Sequence, residues 1–305
     1  MRVGALARAA VVALALVIAA QARAGQLRVN VASNSFSPQS IQPNNGDHII
    51  WVWSGDFHTV TSGNGSPTGI FASGLRSTGA SFTWKIDRTG LVPYYCEPHF
   101  AFNMTGNMSI TASGNAVSDF RITEVFFNAP NGEDFIEITN LGDAPGNLGR
   151  YRLSLVAATV FTFTLANINV PVGGRFVVWV NRSGIDTQTE LFNVAHPELA
   201  RTGSAALYAP NTVNANLGLP DQMIDFVQWG DMGQANATTA STASLWNGSD
   251  FVEAPAVPHS IEFCGNATNR GPTFWAPRLA ATPGTADCMT PTRSATWGRI
   301  KTLYR

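Results

Sequence analysis

At 305 residues the chain has room for roughly two domains. Charged residues make up 13%, well under the roughly 25% of ordinary soluble domains, and 28 Gly and 17 Pro break the apolar stretches into short runs, the texture of an all-β protein. There are two lysines, Lys85 and Lys301, and the formal net charge is −1, which excludes a broad basic surface for nucleic acid.

Residues 1–24 read as a signal peptide. Arg2 and Arg8 give a basic start, Ala9 to Ala20 an uncharged apolar run, and Ala22-Arg23-Ala24 an A-x-A cleavage site. The run is shorter than the ~20 apolar residues of a spanning helix. Its removal takes away three arginines and changes the net charge from −1 to −4. The mature protein is therefore expected outside the cytoplasm, whether periplasmic, at the cell surface or secreted.

Residues 25–112 read as a first domain. Leu27, Val29 and Val31 alternate with polar neighbours, the period of a half-buried strand. Phe36-Ser37-Pro38 and Asn44-Asn45-Gly46-Asp47 are turn signals. His48–Trp53 is a dense aromatic and β-branched strand, with His48 expected as a solvated edge residue. Ser62–Pro67 reads as a loop, and Ser81–Ile86, Val92–Cys96 and Asn107–Thr111 as further strands. Strands this short with turns this frequent predict a sandwich or barrel.

Between the last two strands, Tyr94–Met108 carries Cys96, His99 and Met104 in C-x2-H-x4-M spacing. A thiolate, an imidazole and a thioether on one loop suit copper, and a Cys with two His in a plane and a weak axial Met is the ligand set of blue-copper centres. The second imidazole must come from elsewhere, and His58, 38 positions before Cys96, is the donor expected. Met104 is the axial candidate; the more distant Met108 suits core packing better.

These residues resemble the plastocyanin and pseudoazurin branch of the cupredoxins, which carry a lone upstream His and then Cys-x-Pro-His followed by Met. Here the motif is Cys96-Glu97-Pro98-His99 with Met104, and His58 stands upstream. The resemblance implies a Greek-key β-barrel or sandwich holding one type 1 copper through His58, Cys96, His99 and Met104. It also implies an electron port at His99, within a docking patch of Pro98, Phe100 and Phe102. One departure is Thr59 where plastocyanins often carry Asn, so a hydroxyl would have to support the Cys loop. No acidic cluster steers a positive partner, and four basic against four acidic residues in 26–112 leave the redox partner unidentified.

Residues 113–118, within Ala112-Ser-Gly-Asn-Ala-Val-Ser118, read as a linker. Beyond it, strands are predicted at Ile122–Phe127, Phe135–Thr139, Tyr151–Ser154, Phe161–Thr164, Phe176–Val180, Ala205–Tyr208 and Met223–Trp229. Their alternating Glu124, Glu137 and Asp225 are expected on an outward strand face rather than as acid/base pairs. The order of Ile122-Thr-Glu-Val, Asp134-Phe-Ile-Glu-Ile-Thr-Asn140, Leu148-Gly-Arg-Tyr-Arg-Leu-Ser154, Pro171-Val-Gly-Gly-Arg-Phe176 and Ile224-Asp-Phe-Val-Gln-Trp-Gly230 is similar to the lamin tail domains of exported bacterial proteins. That resemblance implies an immunoglobulin-like β-sandwich over 119–288 that binds or scaffolds, with no catalytic residues.

Of three cysteines, an oxidising compartment favours pairing Cys264 with Cys288, leaving Cys96 free for a metal. Residues 289–305 form a short basic tail with Trp297 and Ile300 at helical spacing, expected as a frayed or self-docked terminus. Together these features predict an exported electron carrier in which copper cycles between Cu(I) and Cu(II). An oxidase or nitrite reductase would need further copper ligands, and only the dispersed His48, His196 and His259 are left to supply them. The alternative is a surface-binding or structural protein of the cell envelope whose first domain only holds copper.

Overall fold

The computed structural model describes residues 25–111, 116–157, 159–256, 258–285 and 288. The expected signal peptide and basic tail lie outside the described residues, as does most of the expected linker.

Among the described residues, the first half contains nine strands: β1 (Gln26–Ala32), β2 (Ser35–Ser37), β3 (Ser40–Ile41), β4 (His48–Trp53), β5 (Thr61–Gly63), β6 (Pro67–Ala72), β7 (Ser81–Lys85), β8 (Gly90–Tyr95) and β9 (Thr105–Ile110). They form two sheets, ordered β2-β1-β4-β7 and β3-β9-β8-β5-β6. β1 runs parallel to β4, from Gln26 opposite His48 to Val31 opposite Trp53. Val29, Val31, Ile49, Trp51, Trp53 and Tyr94 fill the space between the sheets, and Cys96, Met104 and Met108 belong to the same buried cluster. Met108 is thus core, as its spacing suggested. Parts of two stretches expected as turn or loop are paired backbone: Phe36 lies in β2 against Val31, and Gly63 in β5 faces Pro67 in β6.

The second half adds β10 (Phe120–Phe126), β11 (Phe135–Asn140), β12 (Gly146–Asn147), β13 (Arg152–Val156), β14 (Val160–Thr164), β15 (Asn169–Val170) and β16 (Arg175–Val180). Then follow β17 (Glu190–Asn193), β18 (Gly203–Tyr208), β19 (Met223–Trp229), the short helix α1 (Ala237–Thr242), β20 (Ser260–Phe263) and β21 (Trp275–Arg278). A six-stranded sheet, β17-β16-β11-β10-β20-β21, and a four-stranded sheet, β14-β13-β18-β19, enclose a core that includes Phe120, Ile122, Ile138, Leu153, Phe226 and Trp229. The described residues are all-β apart from single helical turns and α1, with a cupredoxin-like first half and sandwich sheets behind it that fit an immunoglobulin-like unit.

The two halves share a packed face. Along β4, Ile49, Trp51 and Trp53 point into the first core, whereas Ile50 is buried in the core of the second half and Val52 packs against that core. A strand covered on both faces loses the polar alternation of a half-buried one, and one isoleucine so buried contributes on the order of 1.5–3 kcal/mol. Hydrogen bonds seam the contact. The Ser81 N–H donates to Thr212 Oγ1 (2.9 Å), Thr83 Oγ1 to the Pro210 carbonyl (2.7 Å) and the Phe120 N–H to Gln26 Oε1 (3.1 Å). Val117 and Ser118, at the end of the expected linker, are buried, and Ser118 Oγ donates to the Gln26 carbonyl. The described end of that joint is therefore fixed to both halves.

Two sequence expectations fail here for the same reason. His48 is not a solvated edge residue: the second half covers it, its Nε2 lies 3.0 Å from the Asp221 carbonyl oxygen, and burial, with Lys85 nearby, brings its pKa down to about 3. Glu124, Glu137 and Asp225 do not face outward either; all three are buried. Asp225 pairs with Arg121 at 2.9 Å and accepts from the Ile122 N–H. Glu124 and Glu137 face each other across β10 and β11, and Glu262 of β20 faces Glu124 from the other side. Thr282, Gly284 and Cys288 lie over this row: the Thr282 and Gly284 N–H groups donate to Glu124 and Glu137, and the Cys288 N–H donates to Glu262. A disulfide joins Cys288 to Cys264, just past the end of β20.

Candidate metal centre

β8 delivers Cys96 to the end of the barrel, and the chain then turns through Glu97–His99 into a single 3-10 turn, Phe100–Phe102, before entering β9. The loop is closed by its own backbone. The His99 N–H donates to the Cys96 carbonyl (3.2 Å), the Met104 N–H to the His99 carbonyl (3.2 Å) and the Cys96 N–H to the Met104 carbonyl (3.0 Å). Asn103 ends the turn in the left-handed conformation (φ 67°), a geometry that Asn tolerates better than most residues. C-x2-H-x4-M is thus the length of one tight loop that points its functional side chains back toward the barrel end.

His58 reaches the same place from the β4–β5 connection. Its backbone forms a two-way bridge with Arg76, with N–H to O distances of 3.0 and 2.9 Å, and its carbonyl accepts the Trp53 indole N–H (3.0 Å). Gly55 packs so closely that an added Cβ would lie 3.2 Å from His58 Nε2. His58 is buried, and burial, with the neighbouring His99, holds its pKa below the ordinary histidine value. That keeps it neutral, the form in which imidazole ligates a metal.

The structure brings His58, Cys96 and His99 together. His58 Nδ1 and His99 Nδ1 are 3.1 Å apart, and Cys96 Sγ lies 3.8 Å from the first and 3.3 Å from the second. A point inside that triangle is about 2.0 Å from all three atoms, close to the ~2.0–2.3 Å at which imidazole and thiolate hold a first-row metal. No other group of three His, Cys, Asp or Glu donors this close is found among the described residues. The soft donor set and its near-bonding spacing fit copper. Met104 is fully buried in the same cluster, with its backbone tied to both Cys96 and His99.

The surroundings support the sulfur and the loop. The Thr59 N–H points at Cys96 Sγ (3.3 Å), and Thr59 Oγ1 accepts the Glu97 N–H (2.8 Å). Thr61 Oγ1 in turn donates to Glu97 Oε1 (2.7 Å). The hydroxyl at the position where plastocyanins often carry Asn therefore does hold the Cys loop.

Pro98 and Phe100 are exposed, Phe102 is 70% exposed, and His99 is half-buried among them with its ring 6.3 Å from that of Phe102. Two members of this apolar rim escaped the sequence reading: Phe57 (66% exposed) and Leu75 (55%). Phe57 sits next to His58 with φ 60°, a strained conformation for an aromatic residue. Leu75 precedes Arg76, which pairs with His58. An aromatic residue beside a candidate ligand was the available signal.

His196 and His259 do not join the site. His196 is buried with its ring 4.0 Å from that of Phe161, and His48 is occupied at the contact between the halves.

Residues 24–111 match the family described as copper binding proteins, plastocyanin/azurin family. A chloroplastic plastocyanin from Tetradesmus obliquus is 28% identical over 117 residues, spanning 36% of this chain and 81% of that protein. Among solved structures, oxidised plastocyanin from Dryopteris crassirhizoma is 20% identical and covers 28% of this chain and 100% of its own, with a TM-score of 0.25. A purple cupredoxin from Nitrosopumilus maritimus is 20% identical over 28% of this chain and 98% of its own, also with a TM-score of 0.25. The family match covers the barrel that carries His58, Cys96 and His99, and residues 24–111 form a copper-binding domain of the plastocyanin/cupredoxin family.

Proposed function

We propose that the chain is an exported electron carrier whose metal is held by His58, Cys96 and His99, with Met104 as the weak axial ligand. The observation that carries this reading is the triangle of two imidazole nitrogens and one sulfur, drawn from two separate connections and buried at one end of a rigid barrel. Bound copper would supply one-electron chemistry between Cu(I) and Cu(II). The chain's own residues supply the rest. The loop's backbone bonds and the buried Trp53 contact fix the ligands in advance, so that little rearrangement accompanies a change of charge. The Thr59 N–H places a donor on the sulfur, one of the means by which such sites tune their potential.

His99 is the route for the electron. It is half-buried where His58 is buried, and Phe57, Leu75, Pro98, Phe100 and Phe102 surround the opening with exposed apolar surface. A patch of this kind suits brief contact with a partner protein. The second half would serve as a lamin tail-like binding or scaffolding unit at the cell surface or in the envelope. The order of its sequence motifs and its two packed sheets support that role.

The test is voltammetry of the copper-loaded mature protein alongside its Cys96→Ser variant. A reversible one-electron wave with fast self-exchange is expected, lost in the variant while the second half stays folded. A variant that kept the wave and the intense thiolate-to-copper absorption would overturn the ligand assignment.

A further inference from the structure

The cleft where the two halves meet holds two arginines and lacks a lining carboxylate. It has a volume of about 460 Å³, and its walls include Arg28, Trp53, Ser54 and Thr78 from the barrel with Arg150 and Asn167 from the sandwich. Arg28 is half-buried and its hydrogen-bond acceptors are neutral: Asn147 Oδ1 at 3.0 Å and the Gly149 carbonyl at 2.7 Å. Burial lowers its pKa from the usual arginine value; Tyr151 opposes that shift and the charge of Arg150 adds to it. The Arg150 guanidinium makes no hydrogen bond or ion pair among the described residues. It reaches over the barrel's Gly79 turn, where an added Cβ would lie 3.9 Å from its nearer terminal nitrogen. The nearby carboxylate, Asp56, accepts from the Thr78 N–H.

A half-buried guanidinium beside a second one is unfavourable unless something negative compensates them. Arg150 also has φ 70°, a left-handed backbone that a residue other than Gly, Asn or Asp adopts at a cost and that often marks a functional position. Both arginines line the same cleft, and the guanidinium N–H groups not used by Asn147 and Gly149 suit the oxygens of an anion. The hydroxyl of Ser54 and the amide of Asn167 offer neutral donors around them.

We propose that this cleft binds a small tetrahedral oxyanion, sulfate or phosphate, between Arg28 and Arg150. The site is separate from the metal centre and needs both halves of the chain.

The experiment is calorimetric titration of the full mature protein with sodium sulfate and with sodium phosphate, ionic strength being held constant with sodium chloride. One saturable site per chain is expected for at least one of the two anions. Its affinity should fall at least about tenfold in Arg150→Gln, from the loss of a charged hydrogen-bonding group. Arg150 has no side-chain partner to lose among the described residues, so the variant should melt at the wild-type temperature, which establishes that it is folded. Arg28→Gln should weaken binding as well. Heats without saturation for both anions, or unchanged affinity in a folded Arg150→Gln, would overturn the proposal. Neither outcome bears on the copper reading.

Discussion

Two trios of ionisable side chains stand close together in this molecule, and they are built in opposite ways. In the sandwich, Glu124, Glu137 and Glu262 stand side by side on three strands, and each is supplied with donors. Ser260 and Thr282 serve Glu124; Thr123, Arg175 and Gly284 serve Glu137; Arg278 and the Cys288 N–H serve Glu262. In the barrel, the nitrogens of His58 and His99 and the sulfur of Cys96 have chiefly one another, with the Thr59 N–H on the sulfur. Buried polar groups with a full set of partners hold a structure together. Lone pairs that converge at near-bonding distances are completed by a cation. Donor saturation, more than burial, separates the structural trio from the functional one.

That contrast can be broken by removing one member of each trio. The largest effect on stability is expected for Glu137→Ala, which strands the Arg175 guanidinium and the Gly284 N–H. Losing one partner of a buried ion pair costs about 3–5 kcal/mol, to be read as a lowered urea midpoint with copper binding unchanged. Next is Cys264→Ser paired with Cys288→Ser. The bridge closes a span of 24 residues, and its loss should cost about 3 kcal/mol, again without touching the copper spectrum.

A smaller effect concerns pH. Burial, the first cause, raises the Glu124 carboxyl from 4.5 to about 7. The folded state therefore holds that proton more tightly than the unfolded one. The resulting stabilisation is complete below about pH 4.5 and is lost as pH rises through about 7. Glu124→Gln, which resembles the protonated form, should flatten that decline; melting temperatures at about pH 5 and about pH 8 measure it. The smallest structural change is Met104→Leu. It should retain copper and raise the reduction potential, because Met104, as the proposed weak axial ligand, would tune the site without holding it. Loss of all copper would mean that Met104 does more than tune.

Much of the metal site was legible because the loop is short. Cys96, His99 and Met104 are close in sequence, so their spacing alone places them on one turn, and the lone upstream His58 follows from the resemblance. Strand positions in both halves were readable for the same reason, since alternation is a local property. What stayed hidden depends on contacts between distant segments. His48 directly follows the Gly46-Asp47 turn, as an edge residue would, yet the other half of the chain covers it. Glu124 and Glu137 alternate as outward residues would, yet Thr282 and Gly284 close over them with backbone donors that no sequence pattern announces. The period of two tells which residues share a face, but it does not tell whether that face meets solvent. Arg28 and Arg150 come together only because the halves pack on each other.

The most direct measurement is the combined absorption and electron paramagnetic resonance spectrum of the protein loaded with Cu(II). Expected are one copper per chain, an intense thiolate-to-copper absorption band and the narrow hyperfine splitting of a copper–sulfur centre. A colourless protein, or copper whose spectrum is the same after Cys96→Ser, would contradict the convergence of His58, Cys96 and His99 on one ion.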